Sequence, residues 1–184
     1  MYTPGQALPL RLANEDDLDR IIMLETLGFA AGICESREVM QHRLRHFPQG
    51  FLILADDRNQ AVGYLSSELW SAKVPTNATP FTLGHDIRDT HDSSGSQLYI
   101  SSMTIHPAYR GGGVGRAFFQ QCVARLCRDL SQVRSSILLV SAEWLGAHHI
   151  YATCGYEEIM RLGDFFSAVA KQNADAIVMR KVIT

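Results

Sequence analysis

The sequence predicts a mixed α/β fold: one domain over residues 1–184, built on a central twisted sheet of about seven strands with helices on both faces. Three observations lead there. Apolar periods of two and of 3.6 residues follow one another in the order β-α-α-β-β-β-α-β-α-β-β. A strand runs into a glycine-rich turn and then a long helix at 97–130. Directly after that helix, Ile137-Leu138-Leu139-Val140 is an uninterrupted apolar strand. Such a strand is covered on both faces, and a helical crossover makes it parallel to the strand before. A length of 184 residues suits one domain, and 46% hydrophobic residues supply one core.

Leu8 to Leu12 is a short first strand. Asn14 caps a helix with Asp16 and Asp17 in its first turn, and Leu18, Ile21, Ile22 and Glu25 carry the helical period, with Ile21 and Ile22 inward. A loop from Gly28 to Gly32 leads to Ser36, the next cap. Val39, Met40, Leu44 and Phe47 are that helix's inner face, and Pro48 and Gly50 stop it. Residues 51–55 are a buried strand, 56–59 a turn, and 61–70 the returning hairpin partner. Residues 71–96 have little periodicity and much Pro, Thr, Gly, Ser and Asp. A loop this long is usually functional, and this one ends at the central strand, which places it near the substrate. Leu145 to Cys154 reads as a helix closed by Gly155 in the left-handed conformation. Residues 156–161 and 175–182 are the last two strands, paired antiparallel across an excursion that carries Phe165 and Phe166.

The formal net charge of −2 gives no field that would favour nucleic acid or a membrane surface. Cys34, Cys122, Cys127 and Cys154 are scattered, with no metal-ligand spacing, and read as reduced thiols of a cytoplasmic protein. Residues 1–6 lack the basic and apolar regions of a signal peptide, and no stretch approaches the length of a membrane span.

The chain is organised around 97–116. Tyr99, Ile100, Met103, Thr104 and Ile105 suit a strand that Pro107 ends. Four glycines, Gly111, Gly112, Gly113 and Gly115, then open a helix whose inner face runs through Val114, Phe118, Cys122 and Leu126. The first amides of a helix lack internal partners and sit at the positive end of its dipole, and glycine lets a ligand approach them. That is an anion site, usually for phosphate, and Arg110 and Arg116 bracket it with full charges. No Lys follows the glycines as a Walker loop needs, and the Gly-x-Gly-x-x-Gly spacing fails at both registers.

What fits is Arg-x-x-Gly-x-Gly, at Arg110, Gly113 and Gly115, after a strand ending Ile105-His106-Pro107. This resembles the coenzyme A pyrophosphate loop of the GNAT superfamily of acyltransferases, and the order of elements matches that family's fold over nearly the whole chain. Ile150-Tyr151 followed by Gly155-Tyr156 resembles the family's second signature. The resemblance implies acetyl-CoA as co-substrate, held by backbone at Met103, Thr104 and Ile105 and at Arg110, Gly111, Gly112, Gly113, Val114, Gly115 and Arg116. It implies a bulge in the central strand and a splay from the next one. It also implies that Tyr151 protonates the departing thiolate, a role a phenol at hydrogen-bond distance can fill.

The span from Glu68 to His106 looks most like the arylalkylamine N-acetyltransferase branch, which places two histidines on the central strand. Tyr99 and Ser101 stand there instead and would order a water chain. Glu68, at a strand end near the cleft, joins them and Tyr151 in the candidate catalytic set; His85, Asp86, Glu143 and His148 are further options for a base or a tuning group. No metal is expected. Residues 175–179 resemble the branch that acetylates ribosomal protein N-termini, though Trp144 replaces that branch's Asn and would line an acceptor pocket. Phe29, Trp70, Phe81, Phe165 and Phe166 are the other apolar candidates for it. The expectation is an N-acetyltransferase for a small, apolar or aromatic amine. The alternatives are an acetyltransferase for protein N-termini or lysine, and a non-catalytic acyl-CoA sensor. Folds of this kind often pair through edge strands, which makes a homodimer an option.

Overall fold

The computed structural model describes residues 8–71 and 73–183; the first six residues, read above as no leader, lie outside them. In order the elements are β1 (Leu10–Leu12), α1 (Leu18–Gly28), α2 (Arg37–His46), β2 (Phe51–Ala55), β3 (Ala61–Trp70), α3 (Ile87–Thr90), β4 (Gln97–Ile105), α4 (Val114–Asp129), β5 (Ser135–Ser141), α5 (Leu145–Thr153), β6 (Glu157–Leu162) and β7 (Ala176–Val182). The seven strands of the described residues form one sheet in the order β1-β2-β3-β4-β5-β7-β6. Every neighbouring pair is antiparallel except β4 and β5, which the α4 crossover makes parallel. No helix among the described residues is long and apolar enough to cross a membrane.

Local chemistry fixes each element. Asn14 accepts from the Asp16 amide at 2.9 Å while the Asp17 carboxylate takes the Asn14 amide at 3.0 Å, closing a capping box ahead of α1. Asp17 is also held by Arg11 at 2.7 Å, which ties this cap to β1. In the β2–β3 hairpin Asp56 Oδ1 accepts two amides, and Asn59 takes the positive φ that the turn requires. Gly155, at φ +84°, closes α5 while the Tyr156 amide reaches back to the Tyr151 carbonyl at 3.1 Å.

The main core lies between the sheet and the α4–α5 side, around Leu65, Leu98, Phe118, Phe119 and Leu126. On the opposite face Ile21, Leu24, Met40 and Leu44 of α1 and α2 pack on Phe51, Ile53 and Tyr64. Two irregularities in β4 matter for function. Ser66 pairs with Ser102 but Ser67 pairs with Ile100, so Ser101 is an extra, bulged residue. And β4 pairs with β5 only through Gln97–Ile100; from Ser101 to Ile105 the two strands part. The 71–96 segment is more ordered than its composition suggests, since it contains α3 and a short 3₁₀ turn at Thr79–Phe81.

Candidate active site

The parting of β4 and β5 opens a cavity of about 750 Å³, lined by Ser101–Ile105 of β4, Leu138–Val140 of β5, the glycine turn, and Gly146, Ala147, His149, Ile150 and Tyr151 of α5. Along this edge alternate β4 backbone groups have lost their strand partner. At the far end α4 begins with Gly113 in the left-handed conformation at φ +81° and no side chain capping it. Gly111 is also left-handed at φ +94°, and a Cβ added at either position would meet nothing within 4 Å. The space beside this backbone is therefore open. No acidic residue complements the first turn of α4; it carries Arg116, exposed and on the cavity wall. An uncapped, positively charged helix start facing a cleft fits a diphosphate, and the unpaired β4 edge fits an extended chain bearing amide groups.

The sequence-derived residues divide. Met103, Thr104, Ile105, Arg110, Gly111, Gly113, Val114, Gly115 and Arg116 all line the cavity; Gly112 does not. Arg110 turns back, donating from Nε to the Ile105 carbonyl at 2.8 Å, so it braces the strand end. Gly115 is set by packing: a Cβ there would stand 3.1 Å from Ile150 Cδ1. Tyr151 lines the cavity against Phe119, ring centroids 4.9 Å apart, and its hydroxyl has no hydrogen-bond partner among the described residues. Burial, with a smaller contribution from Cys154, pushes its phenol up to about 12, so it holds its proton at neutral pH. His148 does not reach the cavity wall, whereas the exposed His149 does.

The base candidates fall elsewhere. Ser101, the bulged residue, lines the cavity, and its hydroxyl lies 2.9 Å from the Ser66 hydroxyl and donates to the Ser66 carbonyl at 3.1 Å. Tyr99 also lines it, but its ring is stacked on Trp70 at 4.0 Å and burial raises its phenol far above the ordinary value. Glu68 is 1% exposed and does not line the cavity. It accepts from Trp70 Nε1 and His85 Nε2 through one oxygen and from Thr90 Oγ1 through the other, each at 2.8 Å. This carboxylate clamps the 79–91 segment onto the sheet. His85 offers its second nitrogen to the Thr82 carbonyl at 2.9 Å. Burial lowers its pKa, but the Glu68 hydrogen bond and charge outweigh that and leave it raised. Asp86 caps α3 and pairs with Arg88. Glu143 accepts the amides of Lys171, Gln172 and Asn173, which hold it below its ordinary value. It staples the β6–β7 excursion.

Of the aromatic candidates, Phe29, Phe81, Trp144 and Phe166 line the cavity and Trp70 and Phe165 do not. Trp144 bridges Phe29 (5.6 Å) and Phe166 (5.4 Å), forming an aromatic wall. Among the lining residues that sequence did not single out are Glu25 near the end of α1, Glu35 before α2 and Ser102 on β4. Glu25 is 2% exposed, takes the Glu35 amide at 2.8 Å and is hydrogen-bonded by the Tyr64 hydroxyl. Burial raises its pKa and the Glu35 charge adds to this; the two hydrogen bonds and Arg43 oppose it. Glu35 is paired with buried Arg43 at 2.9 Å. The available signal for Glu25 was a carboxylate on the helix face that carries Leu18 and Ile21.

Solved structures share this architecture. The loading GNATL domain of CurA from Lyngbya majuscula is similar at TM-score 0.80 and 16% identity, covering 96% of this chain and 98% of that one. A phosphinothricin acetyltransferase from Sinorhizobium meliloti, in complex with AcCoA, is similar at TM-score 0.68 and 17% identity, over 97% and 89%. The ribosomal-protein-S18-alanine N-acetyltransferase of Escherichia coli is similar at TM-score 0.67 and 15% identity, over 96% and 94%. At such identities the likeness establishes the fold. No curated protein matches the sequence. The model of the acetyltransferase (GNAT) family matches residues 18–156, from the start of α1 through the cavity to Tyr156. The chain therefore belongs to the GNAT family of acetyltransferases.

Proposed function

We propose that this acetyltransferase uses acetyl-CoA to acetylate a small primary amine with an apolar or aromatic body, with Tyr151 as general acid. One observation carries the reading: a protonated phenol with no hydrogen-bond partner among the described residues shares one cavity with an unpaired strand edge and an open glycine-rich helix start. Acetyl-CoA, when bound, supplies an activated acyl thioester. The amides at the start of α4, with Arg116, hold its diphosphate. The free edge of β4 orients the extended arm and places amide donors where negative charge grows on the acyl oxygen. Tyr151 gives its proton to the leaving sulfur and recovers one from the attacking nitrogen.

The wall of Phe29, Trp144 and Phe166, with Phe81 of the clamped 79–91 segment, favours an apolar or aromatic acceptor of the arylalkylamine kind. A protein N-terminus or lysine would need an open groove where this segment lies. Mass spectrometry of products from an amine panel headed by 2-phenylethylamine, against a panel of peptides, tests the reading. Acetylated arylalkylamines are expected. Acetylation confined to peptides would replace the small amine with a protein acceptor. Coenzyme A binding with no turnover on either panel would leave an acyl-CoA sensor.

A further inference from the structure

The candidates for a base read from sequence are engaged in other work: Glu68 clamps a loop, Glu143 staples another, and Tyr99 is stacked in the core. A carboxylate that does face the cavity is Glu25, and a continuous hydrogen-bonded chain leads away from it. The Tyr64 hydroxyl bonds Glu25 Oε2 and lies 2.8 Å from Ser102 Oγ. Ser102 is on β4 beside the bulge and lines the cavity.

The direction of this chain follows from counting protons. An ionised carboxylate only accepts, so Tyr64 must donate to Glu25. A phenol has one proton, so Tyr64 must then accept from Ser102. Ser102 has one proton too, so toward the cavity its oxygen presents only lone pairs. A hydroxyl that can only accept, in a cleft opened by a strand bulge, suits a group that must lose a proton. Resting on the amine-acetylation reading above, we propose that Ser102, Tyr64 and Glu25 form a proton relay that deprotonates the acceptor ammonium.

The step balances. The ammonium gives one proton to Ser102 Oγ, Ser102 passes its own to the Tyr64 oxygen, and Tyr64 passes its own to Glu25. The amine is left neutral with its lone pair free, and Glu25 becomes a neutral carboxylic acid. After attack, the nitrogen's surplus proton replaces the one that Tyr151 delivers to sulfur, and Glu25 releases its proton to water. Ser102 and Glu25 are catalytic groups in this scheme, and Tyr64 conducts between them.

The surroundings suit that cycle. The charged and titratable groups around Glu25 are Glu35 and Cys34 from the α1–α2 connection, Arg43 on α2 and Tyr64 on β3. Arg43 is ion-paired with Glu35 at 2.9 Å and acts on Glu25 through its charge alone, as the smallest of the influences on that carboxyl. An incoming ammonium adds positive charge beside the two carboxylates. Burial holds the Glu25 carboxyl above its ordinary value, which brings it nearer the working pH as a proton acceptor.

The test is kcat and KM against pH from 5.5 to 10, with 2-phenylethylamine or the best amine of the panel. Glu25→Gln keeps the shape but only one accepting oxygen, so it retains one of the two bonds from the Glu35 amide and the Tyr64 hydroxyl and cannot take the proton. It should lower kcat at pH 7 by about 100-fold or more, and the loss should shrink steadily as pH rises toward the amine's own pKa. Ser102→Ala and Tyr64→Phe should show the same slope with smaller losses, and Ser102→Thr should restore activity. Coenzyme A affinity by calorimetry should stay within about threefold of wild type in all four, the size of change a purely structural fault would exceed. A Glu25→Gln enzyme with the wild-type pH profile overturns the relay while leaving amine acetylation standing. So does a uniform loss at every pH, or a Ser102→Ala variant with unchanged kcat. A wild-type enzyme that acetylates no amine removes the parent reading and the relay together.

Discussion

Replacing Glu68 by glutamine should destabilise the protein in a pH-dependent way. The side chain is 1% exposed and accepts three hydrogen bonds at 2.8 Å, from Trp70, His85 and Thr90. Bonds to a charged acceptor contribute about 1.5–3 kcal/mol net and neutral ones about 1 kcal/mol. Glutamine keeps the acceptor for Trp70 and His85 and can donate to Thr90, so the charge is lost and the contacts mostly remain. Allowing for non-additivity, a cost of about 2–3 kcal/mol is expected below pH 6, equivalent to a Tm lower by roughly 5–10 °C for a chain of this size. The sign of the pH dependence follows from His85, whose folded pKa is raised by Glu68. Its contribution is fully present below the unfolded value of about 6.5 and is lost as pH rises through the higher folded value. The stability gap between wild type and Glu68→Gln should therefore be widest near pH 5.5 and narrow by pH 9. Glu25 titrates in both proteins and cancels from the difference. Urea unfolding followed by tryptophan fluorescence at five pH values measures the gap, with Trp70 reporting directly from the clamp. A gap that stays constant across this range, or no gap at all, refutes the charged Glu68–His85 pair.

Tyr151→Phe should cut turnover at least tenfold with coenzyme A affinity nearly intact, read by steady-state kinetics and calorimetry; unchanged turnover removes the phenol from the mechanism. Gly113→Glu puts both a side chain at φ +81° and a negative charge beside the α4 amides, and should abolish coenzyme A binding in calorimetry; normal affinity contradicts the diphosphate assignment. Gly28→Ala would place a Cβ 2.2 Å from Thr104 Oγ1, so α1 must move off β4. A Tm loss of several degrees is expected, with a fall in kcat because Glu25 rides on the same helix; a variant matching wild type in both would show that α1 does not fix the cavity.

Much of this architecture is local and so is legible. Residues 51–55 and 61–70 alternate or run apolar across an Asp-Asn turn, and α4 carries a clean apolar stripe, so hairpin and crossover follow from near neighbours. The glycine turn is legible because four glycines within five residues at a helix start point to backbone that needs positive φ, as Gly111, Gly112 and Gly113 adopt. The strand boundaries moved by a residue or two, as at Glu157–Leu162, because pairing with β7 decides them. What sequence hid is what depends on distant partners. Glu68 looked like a cleft carboxylate; its role is set by His85 and Thr90, 17 and 22 residues away. The 71–96 segment read as featureless because its order comes from that carboxylate and from Phe81 packed on Trp70, not from any periodicity of its own. Glu25 was counted within a helical period, but its meaning needs Tyr64, 39 residues on, and Ser102, 38 beyond that.

The sheet is stitched down its middle by only four register pairs between β4 and β5. One half is the antiparallel block β1–β4 and the other is β5, β7 and β6, joined like the two jaws of a clothes-peg held at the spring. A ligand lying along the open edge would act as an eighth strand, bridging the jaws where the protein leaves them unlaced. Occupancy should then slow amide exchange on both halves at once, in Ser101–Ile105 and in Leu139–Val140, although the two segments share no register pair.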